Sequence, residues 1–255
     1  MAELSDDVRR HREWLTSLVE VPPAGVVADL GCGRGADLRL LAEGHPNAEV
    51  RLVGLDASAE AISAARQAAV DQRLAFECAD LGERLPFADA GVDVVYSHNL
   101  LECLADPPAL AAEIARVLRP GGQVVVGHWD WDSQLFDGAD KARVRRLVHA
   151  FADWQQAWMA QADGWMGRRL WGVFNAAGRF SGRVHARVLV NTTYAAPWFG
   201  HANAQAFQAL ARRGLAAPAD VAEFTQEQAA LDGQGRYLYS ITGYAFVGRR
   251  VGGRA

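Results

Sequence analysis

A short apolar run that ends in a glycine-rich turn constrains the fold of this chain most. Residues 26–35 read Val-Val-Ala-Asp-Leu-Gly-Cys-Gly-Arg-Gly, with a glycine at every second position after Asp29. Glycine tolerates positive φ and carries no side chain, so this spacing lets the backbone turn sharply after a buried strand and approach a nucleotide-like ligand closely. The sequence therefore predicts a ligand site at the carboxyl end of a strand.

The glycine turn alone leaves two enzyme classes open. Gly31, Gly33 and Ala36 also satisfy the G-x-G-x-x-G/A pattern of dinucleotide-binding folds. Asp56 lies downstream, about where that pattern places its ribose-binding acid. A nicotinamide enzyme therefore remains an alternative at this point.

Around this turn the sequence alternates short apolar strands with helices. The predicted strands are 24–29, 50–55, Leu74–Cys78, Val92–Ser97 and Gln123–Trp129, and the predicted helices between them are 36–43, 59–70 and Pro107–Leu118. Such alternation buries a parallel sheet between helical layers, and right-handed crossovers make it doubly wound. Ligands of such folds bind outside the carboxyl ends of the strands.

The pattern changes after the fifth strand. The segment that follows is rich in tryptophan and predicts helices at Ala142–Gln161 and Gly167–Ala177. Beyond it the predicted elements are a strand at Val184–Thr192, helices at Ala204–Arg213 and Ala219–Leu231, a last strand at Tyr237–Val247 and a loose tail at Gly248–Ala255. We expect an α/β, Rossmann-like, mostly parallel sheet of seven strands with an antiparallel last strand and a helical insertion after the fifth.

This pattern divides the chain into four expected parts. A helix that starts at Ser5 and stops at Pro22-Pro23 makes residues 1–23 a separate N-terminal part. The remaining parts are a cofactor-binding core at 24–130, a helical, Trp-rich substrate cap at 131–181, and strands and helix at 182–255 that complete the sheet.

Composition limits the partners that we expect. The net charge of −4 and a pI near 6.0 give no electrostatic footprint for nucleic acid. Three scattered cysteines do not make a disulfide framework or a zinc site. The first twenty residues carry acids and bases throughout and no apolar run typical of a leader, and no stretch reaches the ~18 apolar residues that a membrane span needs. We expect a soluble, cytoplasmic protein without metal, membrane or nucleic acid, and leave a homodimer open.

Five motifs in order resemble the class I S-adenosylmethionine-dependent methyltransferases, in particular the small-molecule group typified by the ubiquinone and menaquinone biosynthesis enzymes. The motifs are Asp29-x-Gly31-x-Gly33-x-Gly35, Val53-Gly-Leu-Asp56-Ala-Ser58, Ala79-Asp80 with Leu85-Pro86-Phe87, Val92–Ser97, and Leu118-Arg-Pro-Gly-Gly122. The resemblance covers roughly residues 5–130 well and the rest weakly. It implies S-adenosylmethionine as cofactor, a small-molecule acceptor, and a role in small-molecule or natural-product biosynthesis.

Asp29 favours this cofactor over a dinucleotide. In nicotinamide-binding folds the residue two before the first glycine is usually apolar, because it lies inside the strand. A carboxylate there would repel pyrophosphate but suits a ligand that carries an ammonium and a sulfonium. The alternative for Asp29 is a carboxylate that caps the following turn.

The other expected cofactor contacts follow the strand ends. Asp56 can accept two hydrogen bonds from vicinal ribose hydroxyls; its alternative is an N-cap, although Ser58 can serve there. The resemblance implies that Asp80 accepts the adenine amino group. It also implies that the helix within residues 1–23 folds over the cofactor as a lid, and that its Arg12 reaches the methionine carboxylate unless it is merely solvated. The full expected set is Asp29, Gly31, Gly33, Gly35, Asp56, Ala57, Asp80, Leu81, Ser97 and Arg12.

Two histidines are the catalytic candidates. His98 ends the fourth strand beneath the expected methionine end, but a structural loop histidine is its alternative. The family often places a pair of histidines a few residues further on, where Glu102-Cys103 stand here. His128 follows the fifth strand, on a loop expected to face the transferred methyl, and can take the proton of a hydroxyl acceptor.

The acceptor site is expected in the tryptophan-rich segment. If the acceptor is an amine, Asp130 or Asp132 can orient it while tryptophans hold the cation. Trp154 and Trp158 stand one helical turn apart, and a stripe of core residues is the plainer alternative for them. The expected substrate residues are Trp129, Asp130, Trp131, Trp154 and Trp158.

These features predict a methyltransferase that moves a methyl group from S-adenosylmethionine to an oxygen or nitrogen of a small molecule. An NAD-dependent oxidoreductase is one alternative, disfavoured by Asp29 and by the Leu118–Gly122 motif. A non-catalytic adenosylmethionine-binding regulatory subunit is the other. The sequence does not identify the acceptor.

Overall fold

A seven-stranded sheet forms the centre of the computed structural model, which describes residues 5–252. The strands are β1 Ala24–Leu30, β2 Glu49–Asp56, β3 Leu74–Cys78, β4 Val92–His98, β5 Leu118–Phe136, β6 Phe180–Asn191 and β7 Tyr239–Arg250. Their order is β3-β2-β1-β4-β5-β7-β6. Strands β1 to β5 pair in parallel, whereas β7 is antiparallel to both β5 and β6. The predicted fold class is therefore confirmed, including the antiparallel last strand.

Helices cover both faces of the sheet. They are α1 Asp6–Thr16, α2 Ala36–Gly44, α3 Ala59–Ala68, α4 Pro107–Val117, α5 Lys141–Ala152, α6 Met166–Asn175, α7 Phe199–Arg212 and α8 Pro218–Gly233. Leu15 of α1 packs with residues of α2 and α3 in one core, and Ile114 of α4 packs with Phe174 of α6 in another. A third core lies where α5, α7 and α8 meet the far ends of β5 and β7. In residues 5–252, no helix combines the length and apolarity of a membrane span.

Strand β1 is the switch point of the sheet, because β2 lies on one side of it and β4 on the other. The chain winds away from β1 in both directions, which opens a crevice at the carboxyl ends of these strands. The glycine turn at 31–35 begins at this point. The topology therefore brings the ends of β1, β2 and β4 to one site.

The structure corrects the predicted helix at Ala142–Gln161. Helix α5 ends at Ala152, and residues 153–165 are irregular before α6 begins. Close packing explains the break, since a Cβ at Gly164 would lie 2.5 Å from the Ala152 carbonyl oxygen. Trp154 and Trp158 consequently share no helical face, so the predicted stripe is wrong.

Strand β5 is longer than predicted. It continues through Trp129 and Asp130 in register with β7 and resumes pairing at Leu135 after an irregularity. Residues assigned to the start of the insertion therefore lie on the sheet. The predicted loose tail is also partly wrong, because β7 continues to Arg250; residues 253–255 lie outside the described residues.

Candidate cofactor and acceptor sites

The glycine loop is tied to the end of β2. The Gly31 N–H donates to the Leu55 carbonyl at 2.8 Å, and the Gly33 N–H donates to the Asp56 carboxylate at 2.8 Å. Gly35 has φ +71°, and a Cβ there would lie 2.5 Å from the Phe76 ring. Only glycine fits at this position without displacing Phe76, so the loop lies close against the strand ends.

Both oxygens of the Asp56 carboxylate accept hydrogen bonds from backbone N–H groups. Its second carboxylate oxygen accepts the Ser58 N–H at 2.8 Å, and Ser58 itself caps α3 by accepting from the Ala61 N–H at 3.2 Å. Asp56 is thus not the helix cap. A carboxylate has about four lone-pair sites, so two further hydrogen bonds to a diol remain open.

The predicted adenine contacts lie next along this edge. Asp80 is exposed and accepts the Gly82 N–H at 2.8 Å, which fixes the turn after β3. Leu81 beside it is buried, and Ala57 is exposed after β2. Ser97 is fully buried, and its hydroxyl donates to the Leu30 carbonyl at 2.7 Å. Its side chain therefore joins β4 to β1.

Asp29 is a buried acid with an unsatisfied oxygen. It is 2% exposed, and its Oδ2 atom has no hydrogen-bond partner in the structure. Burial, together with the neighbouring Asp37 charge, holds the pKa of the Asp29 carboxyl well above its ordinary value. A buried polar atom without a partner is costly. A cationic ligand group would satisfy it, so this residue fits the cofactor that the resemblance implies.

A buried ion pair joins α1 to this site. The Arg12 guanidinium lies 2.8 Å from Asp37 of α2, and the His98 ring lies 3.6 Å from the same carboxylate. Burial raises the pKa of the Asp37 carboxyl, but the contacts with His98 and Arg12 lower it by more. The pKa of Asp37 therefore lies below its usual range. The Nε atom of Arg12 has no partner. Arg12 therefore keeps one donor beyond the ion pair.

His11 and Trp129 form the contact between α1 and β5. Their rings stack with centroids 3.7 Å apart, and the Phe199 ring stacks with Trp129 at a centroid distance of 5.3 Å. Glycine at 243 leaves room for the His11 ring. Burial lowers the pKa of His11 to about 2. Trp129 is 3% exposed, so an acceptor reaches it only if α1 moves.

His128 and His98 lie on opposite faces of the sheet. His98 pairs with Gly127 in register, and side chains alternate along a strand, so His128 points away from His98. The His128 Nδ1 atom lies 2.7 Å from the Trp129 carbonyl oxygen. A carbonyl only accepts, so Nδ1 carries the proton and Nε2 carries the lone pair. Burial lowers the pKa of His128 to about 4.

Glu102 is the site residue that the sequence prediction missed. It lies in a 3₁₀ turn at Leu101–Cys103, is 7% exposed, and places Oε1 3.9 Å from the Nε2 atom of His128. Burial raises its pKa to about 8, while the nearby Trp131 side chain opposes the shift. The sequence did contain one indication of a role for Glu102, namely its position: Glu102-Cys103 stand where the family often has histidines.

The other predicted acceptor residues have partners of their own. Asp130 is buried and accepts two hydrogen bonds from Arg168, at 2.5 and 2.6 Å. Asp132 accepts the Trp165 indole N–H at 2.9 Å. Trp158 is 66% exposed and Arg213 lies over the Trp154 ring at 5.4 Å. Of the predicted substrate residues, Trp129 contacts His128 through its carbonyl oxygen, and the side chain of Trp131 lies beside Glu102. Within residues 5–252, no three potential ligands are grouped to hold a metal ion.

Comparison with known proteins finds methyltransferases among the relatives of this chain. Residues 28–126 match the family model described as a methyltransferase domain. The chain is 36% identical to trans-aconitate 2-methyltransferase of Azoarcus sp. (strain BH72). The match extends over 124 residues, which are 49% of this chain and 47% of that protein. It is also 35% identical to an uncharacterized 37.1 kDa protein in transposon TN4556 of Streptomyces fradiae. That match extends over 139 residues, which are 53% of this chain and 39% of that protein. The chain thus spans less than half the length of either relative.

A solved structure extends the similarity to the whole fold. The YcgJ protein of Bacillus subtilis superposes with a TM-score of 0.61 at 16% identity, covering 96% of this chain and all of that one. At this identity the likeness shows the fold alone. It includes the segment after residue 126, which lies beyond the match to the family model.

Proposed function

We propose that this chain is a class I S-adenosylmethionine-dependent methyltransferase and that it transfers a methyl group to an oxygen or nitrogen of a small molecule. The observation that carries the proposal is the buried, unsatisfied oxygen of Asp29 beside the glycine turn. A pyrophosphate would be repelled there, whereas an amino acid with a sulfonium supplies the missing positive charge.

The residues around the turn have complementary roles in the proposed site. Asp29 pairs with the amino group, and the free Nε atom of Arg12 donates to the carboxylate of the methionine end. His98 holds Asp37 beneath that end. Asp56 accepts the ribose hydroxyls, and Asp80 with the Leu81 N–H meets the adenine. The bound cofactor supplies an electrophilic methyl group on sulfur.

Methyl transfer is an in-line displacement, so alignment of nucleophile and methyl group lowers much of the barrier. On the acceptor side, His128 presents a lone pair on Nε2 with its tautomer set by the Trp129 carbonyl. This atom is the proposed proton acceptor when the nucleophile is a hydroxyl or an amine. The irregular segment 153–165 covers this side, since the Ala160 N–H donates to the Cys103 carbonyl at 2.9 Å.

Two calorimetric titrations test the proposal, one with S-adenosylhomocysteine and one with NAD. We expect the first ligand to bind and the second not to bind. Asp29→Ala should weaken binding of S-adenosylhomocysteine, and Glu60→Ala, an exposed acid on α3, should leave it unchanged. NAD binding without S-adenosylhomocysteine binding would instead support the oxidoreductase. If S-adenosylhomocysteine binds but no amine, phenol or carboxylate is methylated, the regulatory subunit is supported.

A further inference from the structure

We propose that Glu102 binds the ammonium group of an amine acceptor against the Trp131 side chain, which makes the reaction an N-methylation. This inference rests on the proposed function and narrows its acceptor to one chemical class. It assigns to Glu102 the part that the sequence suggested for Asp130 or Asp132.

Glu102 differs from its acidic neighbours in its partners. Asp130 is bonded to Arg168, and Asp163 lies 2.6 Å from Arg169. In the described residues 5–252, His128 is the only basic side chain within 4 Å of the Glu102 carboxylate, at 3.9 Å. Asp130 and Asp163 are therefore each paired with an arginine, whereas Glu102 has no such pair in the described residues.

The surroundings of Glu102 favour a cation over an anion. The side chain is 9% exposed, so its carboxylate is largely removed from water. Burial and the nearby charge of Asp163 both raise its pKa. In residues 5–252 no arginine or lysine lies within 4 Å of the Glu102 carboxylate, so an acceptor carboxylate would meet this acid without a cation beside it. An ammonium supplies the missing charge and can also contact the face of Trp131.

Proton transfer then has a defined route. The bound ammonium loses one proton to His128 Nε2, and the neutral amine attacks the methyl carbon. The carbon–sulfur bond breaks and its electron pair stays on sulfur. The product is a methylated ammonium that remains paired with Glu102, and His128 later returns its proton to solvent. An ionised Glu102 at 3.9 Å stabilises the imidazolium, which offsets the low basicity that burial imposes on His128.

Binding of matched amines and alcohols tests the assignment. The protein is first saturated with S-adenosylhomocysteine and then titrated by calorimetry with methylamine, benzylamine and phenethylamine, and with the alcohols of the same carbon skeletons. We expect at least one amine to bind about tenfold or more tighter than its alcohol, as a charge-assisted hydrogen bond predicts. The preference should disappear in Glu102→Gln and persist in Glu83→Gln, an exposed acid nearby.

A second measurement uses the unmodified protein. Carbon-13 NMR of the Glu102 carboxyl should show its pKa falling when the amine is added, and not when the alcohol is added. Equal binding of amines and alcohols, an amine preference that survives in Glu102→Gln, or an unchanged Glu102 pKa would each overturn the assignment. Binding of S-adenosylhomocysteine distinguishes failure of the Glu102 assignment from failure of the proposed function. If the unmodified protein does not bind S-adenosylhomocysteine, the proposed function itself is contradicted.

Discussion

The Asp56 carboxylate accepts the Gly33 N–H at 2.8 Å, so one side chain joins the end of β2 to the turn after β1. The same carboxylate accepts the Ser58 N–H at 2.8 Å. Both protein bonds hold Asp56 in place without using all of its lone pairs. The acid is therefore rigid before any ligand arrives, which limits the entropy lost on binding.

Replacing Asp56 with alanine should weaken S-adenosylhomocysteine binding by about 10- to 100-fold, because one or two charge-assisted hydrogen bonds are lost. Calorimetry measures the change directly, and circular dichroism checks that the fold is retained. Glu60→Ala is the matched control, since Glu60 is exposed on the helix that follows. An unchanged affinity in Asp56→Ala would remove this residue from the proposed ribose contact.

Arg12→Met should have two separable effects. The first is on stability: the substitution leaves Asp37 buried without its guanidinium partner at 2.8 Å. Breaking a buried pair in this way costs about 3 kcal/mol. Urea unfolding should show this loss, and the double variant Arg12→Met with Asp37→Asn should recover part of it.

The second effect of Arg12→Met is on ligand choice. S-adenosylhomocysteine carries the methionine-derived carboxylate, whereas 5′-methylthioadenosine lacks it. If Arg12 contacts that carboxylate, the variant should lose affinity for the first ligand and keep its affinity for the second. Equal losses for both ligands would mean that Arg12 acts only through the fold.

Much of the cofactor half was predictable because its signals are local. Strand β3 has the bounds that its apolar run predicts, and the ends of α2 follow from Ala36 and Gly44. Ser58 caps α3 as its residue type suggests. Each of these features depends on residues a few positions apart, so the sequence carries the information directly.

The acceptor half depends on contacts between distant residues. Asp130 acquires its partner from Arg168, 38 positions away, and Glu102 approaches His128 of β5 from the 3₁₀ turn at Leu101–Cys103. The end of α5 depends on Gly164 packing against Ala152. Residue types and spacing do not specify such pairings, and the tertiary packing decides them.

His11→Phe should flatten the loss of stability in acid. The folded pKa of His11 is lowered to about 2, from about 6.5 in the unfolded chain. The unfolded state therefore binds more protons below pH 6.5, and stability falls as the pH decreases from there. At pH 5 the titration of His11 lowers the free energy of unfolding by about 2 kcal/mol.

Phenylalanine keeps a ring that can stack on Trp129 but does not titrate. Urea unfolding at pH 7, 6 and 5 should show a smaller acid loss in His11→Phe than in the unmodified protein. His149→Phe is a control, because the His149 side chain is 59% exposed. A profile for His11→Phe that runs parallel to the unmodified protein would show that His11 is not the source of the acid loss.

Glu102→Gln should make the protein more stable at alkaline pH. The folded pKa of Glu102 is raised to about 8, against about 4.3 in the unfolded chain. Between these values the folded state binds more protons, so stability is fully present below about pH 4 and falls as the pH rises toward 8. Gln removes this titration, so the gain in the free energy of unfolding should be about 3.5 kcal/mol larger at pH 8 than at pH 5. Urea unfolding at both pH values measures this gain, and equal gains at pH 5 and pH 8 would contradict the prediction.

Benzylamine should restore stability at pH 8 in the unmodified protein but not in Glu102→Gln, because only a carboxylate can pair with the ammonium.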